Sequence, residues 1–261
     1  LIALEQEVLY SAQNGIATIT MNRPQSLNSM NPGLIDGLHE AITKAAEAAD
    51  VHCVILTGAG RAFCAGGDLG YLNSIQDIAT KKDFITRVGQ VAKRLTTLPK
   101  PVIAKVNGVT AGAGVNLMLA CDLVYAVDTA KFGESFAKVG LIPDCGGLYF
   151  LPRTVGTLKA KELMFTADLI DAKTAEKLGM VNYLVPADQL DAKVSAMAEK
   201  LAKSAPLSIS LIKQYVNQPA LSLDDILAAE AVTQTLCMGT QDCAEGIAAF
   251  KEKRAPKFTG K

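Results

Sequence analysis

The sequence predicts an α/β fold with a helical C-terminal third. Three observations carry that expectation. Short apolar, β-branched runs, CVILT (53–57), VIAKV (102–106) and DLVYAV (122–127), alternate with stretches of helical periodicity. Two of these runs lead into glycine-rich turns, LTGAGRAFCAGGDL (56–69) and KVNGVTAGAGVNL (105–117). After about residue 187 the strand signals stop, and only amphipathic helical patterns remain.

The first element is a hairpin: EVLYS (7–11) and GIATITM (15–21) alternate in polarity around an Asn-containing turn. Asn31 and Pro32 then form an N-cap and first-turn pair, with Leu34, Leu38, Ile42 and Ala45 on one helical face. A long helix over 81–98 is closed by Pro99 and Pro101, ahead of strand 102–106. A helix over 113–121, the strand at 122–127 and a helix over 134–139 repeat the unit. In the last third, Leu190, Val194, Met197 and Leu201 mark one helix. Ser204 and Pro206 start the next, and 222–238 and 241–253 complete the set. The division expected is a core over 1–187 and a helical packing or oligomerisation region over 188–261.

Composition narrows the function classes. The 261 residues carry 26 basic and 26 acidic side chains, so the footprint of a nucleic-acid binder is missing. The most apolar segment, 102–127, is interrupted by Lys105, Asn107, Asn116 and Asp122, which reads as buried core and not as a membrane span. Six cysteines without a CxxC pair, and two histidines outside metal-ligand spacing, point to reduced thiols in a cytoplasmic setting and to no metal site. The N-terminus, LIALEQEVLY, has no basic region and does not read as a signal peptide.

The two glycine turns invite a dinucleotide reading, but the third glycine of G-x-G-x-x-G is replaced by Phe63 in one and Leu117 in the other. No P-loop motif is present either. Two uses of the glycines remain open. They can permit tight strand–helix packing, or they can let paired backbone N–H groups approach a substrate oxygen at a helix N-terminus.

Taken in order, several long motifs resemble the crotonase, or enoyl-CoA hydratase/isomerase, superfamily. They are ITMNRPQSLNSMN (19–31), GRAFCAGGDL (60–69), KPVIAKVNGVTAGAGVNLMLACDLVYA (100–126), KFGESFAKVGLIPDCGG (131–147), ELMFTADLIDAKTAEKLGMVNYLVP (162–186) and EGIAAFKEKRAPKF (245–258). The resemblance implies a spiral core of ββα turns and a C-terminal region that builds a homotrimer or a dimer of trimers. It implies an acyl-CoA thioester as substrate, with coenzyme A part of that substrate and no separate cofactor. Neither a nucleic acid nor a membrane is an expected partner. By motif position, the oxyanion-hole donors are the backbone N–H groups of Ala65 and Ala113, with Gly66 beside the first. Losing one such donor costs on the order of 3 kcal/mol of barrier.

The acids decide the fate of the enolate. A hydratase of this family uses two glutamates, and their positions are held here by Asn116 and Phe136. Asp144, in GLIPDCGG, falls where some isomerases of the superfamily carry a catalytic aspartate; the stretch most resembles the phenylacetate-pathway ring-epoxide and enoyl isomerases. An apolar setting would raise its pKa and make it a better base. The alternative is a cap for a helix starting near Gly146. Glu134, at the start of the next helix, is a secondary candidate for the pocket, where Asn116 could orient substrate or water and Phe136 could shape the acyl site. Asp68 is expected to fix the turn around Ala65. For coenzyme A, the resemblance points to Arg23 and Leu27 in the SLNSMN segment and to the basic C-terminus, Lys251 and Lys257 included. The reading is an acyl-CoA isomerase. A hydratase, a hydrolase or dehalogenase, and a non-catalytic acyl-CoA-binding subunit are the alternatives; the dehalogenase needs a histidine near Gly89, and none is there.

Overall fold

The computed structural model describes residues 6–218 and 220–261. Strands β1 (Val8–Gln13) and β2 (Ile16–Met21) form the hairpin. Asn14 at φ 53° and Gly15 at φ 80° close it, the left-handed pair that a two-residue turn needs. Helix α1 (Pro32–Glu47) comes next. Its N-cap Asn31 accepts the Leu34 N–H at 2.8 Å, and Leu34, Leu38, Ile42 and Ala45 are buried.

One pattern then recurs: a long strand, a short strand, and a helical segment. β3 (Cys53–Gly58), β4 (Ala62–Cys64), α2 (Leu69–Ser74) and α3 (Ile78–Thr97) make the first round. β5 (Val102–Val106), β6 (Val109–Ala111) and α4 (Ala113–Leu119) make the second. The third is β7 (Leu123–Val127), β8 (Lys131–Gly133) and the 3-10 turn Ser135–Val139. That turn replaces the helix expected over 134–139, because Gly140 at φ 72° ends it before an α-helix can extend. Beyond it come α5 (Gly147–Val155), α6 (Thr157–Thr166), β9 (Ile170–Asp171), α7 (Ala172–Lys177) and β10 (Tyr183–Val185).

The long strands pair in the order β1-β2-β3-β5-β7-β10, parallel from β2 onward, and the short ones in the order β4-β6-β8-β9. Each crossover therefore drops the chain from one sheet to the other, and the helices cover what remains. Every residue of β3 is buried, as expected for a parallel strand covered on both faces.

Helix α8 (Leu190–Ala202) packs on β2, β3, β5 and β7 and places Leu190, Val194 and Ala198 in the core. α9 (Pro206–Val216) leans on α3, and α10 (Leu223–Met238) and α11 (Gln241–Glu252) pack on each other. α10 buries none of its side chains within the chain.

α9 is pinned to the sheet by an ion pair. The buried Lys213 Nζ donates to Asp122 Oδ2 at 2.7 Å and to the Lys100 carbonyl at 3.0 Å, and the same carboxylate oxygen accepts the Val102 N–H. Burial pushes the Asp122 carboxyl up while Lys213 pulls it back. Lys213→Met would leave a buried carboxylate without its cation, so chemical denaturation should show a loss of about 3–5 kcal/mol. Adding Asp122→Asn should recover part of it. A single variant as stable as the wild type would show that the pair contributes nothing.

Candidate active site

The two glycine turns face each other. The first (65–67) joins β4 to α2 and the second (111–113) joins β6 to α4. A Cβ placed on Gly114 would lie 2.1 Å from the Cys64 carbonyl oxygen, so the first turn of α4 rests directly on β4. One placed on Gly66 would lie 3.0 Å from the Ala111 oxygen and 3.5 Å from the Ala113 nitrogen. Gly66 (φ 94°) and Gly112 (φ 51°, ψ −127°) also adopt backbone angles that side chains disfavour.

Hydrogen-bond accounting locates the free donors. Ala65 does not offer one: its N–H donates to the Leu27 carbonyl at 3.0 Å. Met30 donates to the Gly66 carbonyl at 2.7 Å and accepts the Asp68 N–H at 2.9 Å. In such a bridge the intervening N–H points the other way, and the Gly67 N–H makes no hydrogen bond among the described residues. In the second turn the Gly112 N–H donates to the Gly133 carbonyl at 2.8 Å, while Ala113, the first residue of α4, keeps a free N–H among the described residues. The Gly66 N–H is directed at the Cys64 sulfur, so Gly67 in the first turn and Ala113 with its neighbour Gly114 in the second are the N–H groups left without a partner among the described residues. The N–H expected as a donor at Ala65 is therefore committed to the fold, through a Leu27 contact that comes from a distant segment.

Asp68 makes its contacts within the fold. It caps α2 by accepting the Tyr71 N–H at 3.1 Å and pairs with Arg23 at 3.1 Å. Burial alone would push its carboxyl up, but the Tyr71 N–H and Arg23 outweigh it and hold the pKa below the usual range. Arg23 is tied into the fold through Nε and Nη1: its guanidinium also pairs with Glu7 at 3.2 Å and donates to the Ser29 carbonyl at 2.6 Å. These contacts hold the 23–30 segment beside the first turn. Leu27, at φ 52°, serves that turn through its carbonyl. Lys251 and Lys257 are exposed, and neither side chain forms an ion pair among the described residues. Arg254 between them is held by Glu245 and Glu252.

The carboxylates lie where α4 meets the 140–147 loop. Asp144 does not cap α5: the N-cap is Gly146, without a side-chain bond. Its main chain is bound, with the carbonyl accepting the Gly147 N–H and the Asn116 Nδ2 group, each at 2.9 Å. Its side chain is not, since Oδ1 is buried with no partner among the described residues. Burial pushes the Asp144 carboxyl up to about 6. It lies close enough to the first turn for its charge to raise the Cys64 thiol further, beyond what burial does.

Asn116 is fully buried, and the bare Cα of Gly147 makes room for it: a Cβ there would lie 2.3 Å from Nδ2. Its amide holds the Asp144 main chain, a link that spacing along the sequence could not reveal. Phe136 is buried with its ring over Gly112, 3.6 Å from where a Cβ would stand. Glu134 is buried too, and burial pushes its carboxyl up to about 8, with Asp144 adding to the rise and Asn116 opposing it. Cys145 is an inert neighbour, buried with its thiol raised well above the ordinary value by desolvation.

The facing turns thus carry N–H groups without partners, and Asp144 adds one buried, uncommitted carboxyl oxygen, a set of groups suited to an oxygen that gains charge and to proton transfer. Comparisons with known proteins agree in kind. Residues 11–261 match the enoyl-CoA hydratase/isomerase family. The chain is 39% identical to the 1,2-epoxyphenylacetyl-CoA isomerase of Escherichia coli K12, over 97% of this chain and 98% of that one. It is 32% identical to the crotonyl-CoA hydratase of Syntrophomonas wolfei, over 98% and 99% of the two chains. The crystal structure of an enoyl-CoA hydratase from Bacillus anthracis superposes with a TM-score of 0.94 at 34% identity, covering 98% of this chain and all of that one. With its spiral of paired strands, its facing glycine turns and these relatives along nearly its whole length, the chain belongs to the enoyl-CoA hydratase/isomerase family.

Proposed function

We propose that the protein is an acyl-CoA isomerase that converts a 3-enoyl-CoA, or a related ring-derived acyl-CoA, into the 2-enoyl isomer. Asp144 takes a proton from C2, the thioester oxygen gains charge under the Gly67 and Ala113 N–H groups, and the dienolate recovers the proton at C4 from the same carboxyl. The C2–H bond breaks, a C4–H bond forms and the double bond moves by one carbon, with no co-reactant.

The observation that carries this reading is the isolation of Asp144. Its free, half-buried carboxyl stands where α4 meets the loop, while the positions of the two hydratase glutamates hold an amide already bonded to the main chain and a phenyl ring. Syn addition of water needs both an acid and a base, together worth about 10²- to 10⁴-fold or more. Incubating 3-enoyl-CoA thioesters with the protein should give 2-enoyl-CoA, with little 3-hydroxyacyl-CoA. Fast water addition to 2-enoyl-CoA without double-bond migration would overturn the proposal in favour of a hydratase.

The proposal includes a homotrimer or a dimer of trimers. Leu223, Val232, Leu236 and Met238 on α10 and Phe250 on α11 are exposed in the single chain, apolar side chains that a neighbouring copy would cover. Light scattering on the same preparation should read three or six chains, and a monomer would remove this part.

A further inference from the structure

Three buried acceptors on two neighbouring residues go without a partner. Glu134 Oε1 and Oε2 and Asn116 Oδ1 all lack a hydrogen-bond partner among the described residues, although the Asn116 amide lies within reach of the Glu134 carboxyl. Two buried residues with so many unmet acceptors would be costly. One added proton resolves the count. A neutral carboxyl group has an O–H to give and a C=O to receive, and a primary amide offers the complementary pair.

We infer that Glu134 is a positioning residue held as the neutral acid: its O–H donates to Asn116 Oδ1 and its carbonyl oxygen accepts from Asn116 Nδ2. The second Nδ2 hydrogen is the one already given to the Asp144 carbonyl. The pair fixes the amide, and the amide fixes the main chain from which the Asp144 carboxyl projects. Ionised Glu134 would set a carboxylate against the Asn116 oxygen and release the lock. It would also bring a negative charge toward the place where the dienolate forms.

The surroundings favour the neutral form. The crevice around Glu134 is lined by Val115, Phe132, Leu163, Ile170 and Met180, and its other titratable member is Asp168. Asp144 and the Cys145 thiol face it from the loop. None of these groups is a cation, and burial accordingly pushes Glu134 up to about 8, against about 6 for Asp144. Between those values Asp144 is ionised and Glu134 is not, which is the working pair of states.

The inference rests on the reading of Asp144 as the proton carrier, so its test has two arms. In the first, isomerase rate is measured against pH. Wild type should lose activity above about pH 8, and Glu134→Gln, which keeps a donor and an acceptor but cannot ionise, should lose that alkaline limb. Glu134→Leu should lower kcat roughly tenfold, the worth of about one hydrogen bond on the barrier, with KM little changed, and Gln should rescue most of this. In the second arm, thermal unfolding is followed against pH, with no turnover involved. The folded-state pKa is raised, so the stability that the neutral acid confers is complete below about 4.5 and disappears as pH rises through about 8. Glu134→Gln should flatten that slope. An alkaline limb that persists in Glu134→Gln, or an unchanged slope, overturns the inference while loss of activity in Asp144→Asn keeps the Asp144 reading. Full activity in Asp144→Asn would overturn that reading, and the unfolding arm would still report on the Glu134–Asn116 pair.

Discussion

Asp144→Asn is expected to slow double-bond migration by about 10³-fold or more, at the upper part of the range for a lone general base, while the protein folds as before. The substitution is nearly isosteric and leaves untouched the main-chain bonds that Asp144 makes to Gly147 and Asn116. It removes only the group that can carry the proton. No second carboxylate stands ready to substitute, because Glu134 is buried and neutral at pH 7 and Asp68 is committed to Tyr71 and Arg23. The wild-type rate should also fall about tenfold per pH unit below about 6, where Asp144 becomes protonated. Stability moves the other way. The raised pKa of Asp144 means that the folded state loses stability as pH rises through about 6, so the asparagine variant should be at least as stable as wild type at pH 8. Assays of kcat against pH and unfolding curves for both proteins check this; a folded variant that keeps full activity would remove Asp144 from the mechanism as described.

The fold was legible wherever local chemistry and burial agree. β3, β5 and β7 read as continuous apolar runs because helices and sheet cover both their faces. The hairpin turn reads from Asn14–Gly15, and α1 reads from Asn31 and the adjoining Pro32. β4, β6 and β8 were not legible, since strands of three residues carry no period and exist only through pairing with distant partners. α6 blurs its own pattern: Leu158 and Phe165 are exposed on it while Ala160 and Leu163 are buried. The site divides in the same way. A resemblance pointed to Asp144 and to both turns, because those stretches are long and local. Which N–H in the first turn is free depends on Leu27 and Met30, and whether Arg23 is available depends on Glu7 and Asp68. Those are contacts across the fold, and the sequence around each residue does not contain them.

The same contacts make Gly114→Ala the second large effect. A methyl group there would sit 2.1 Å from the Cys64 oxygen and 2.9 Å from the Cys64 carbonyl carbon, both backbone atoms that cannot swing aside. β4 and α4 must separate by about an ångström or more, a strain on the order of 1–3 kcal/mol in a packed core. The two N–H donors ride on those two elements, Gly67 just beyond β4 and Ala113 at the start of α4. A shift of that size at groups aimed at a developing charge costs about 10²-fold, and complete loss of one donor costs 10²- to 10³-fold. The fall should appear in kcat, because the donors matter most when the thioester oxygen carries charge. The acid limb near pH 6 should stay where it is, because Asp144 is tied to α4 through Asn116 and not through Cys64. Gly89→Ala is the control for stability: within α3 it has open space around its Cα, so the same change there should stabilise by about 0.5–1 kcal/mol. If Gly114→Ala folds and keeps its full kcat, the close approach of β4 and α4 does not set the donor pair, and the thioester oxygen must be held elsewhere.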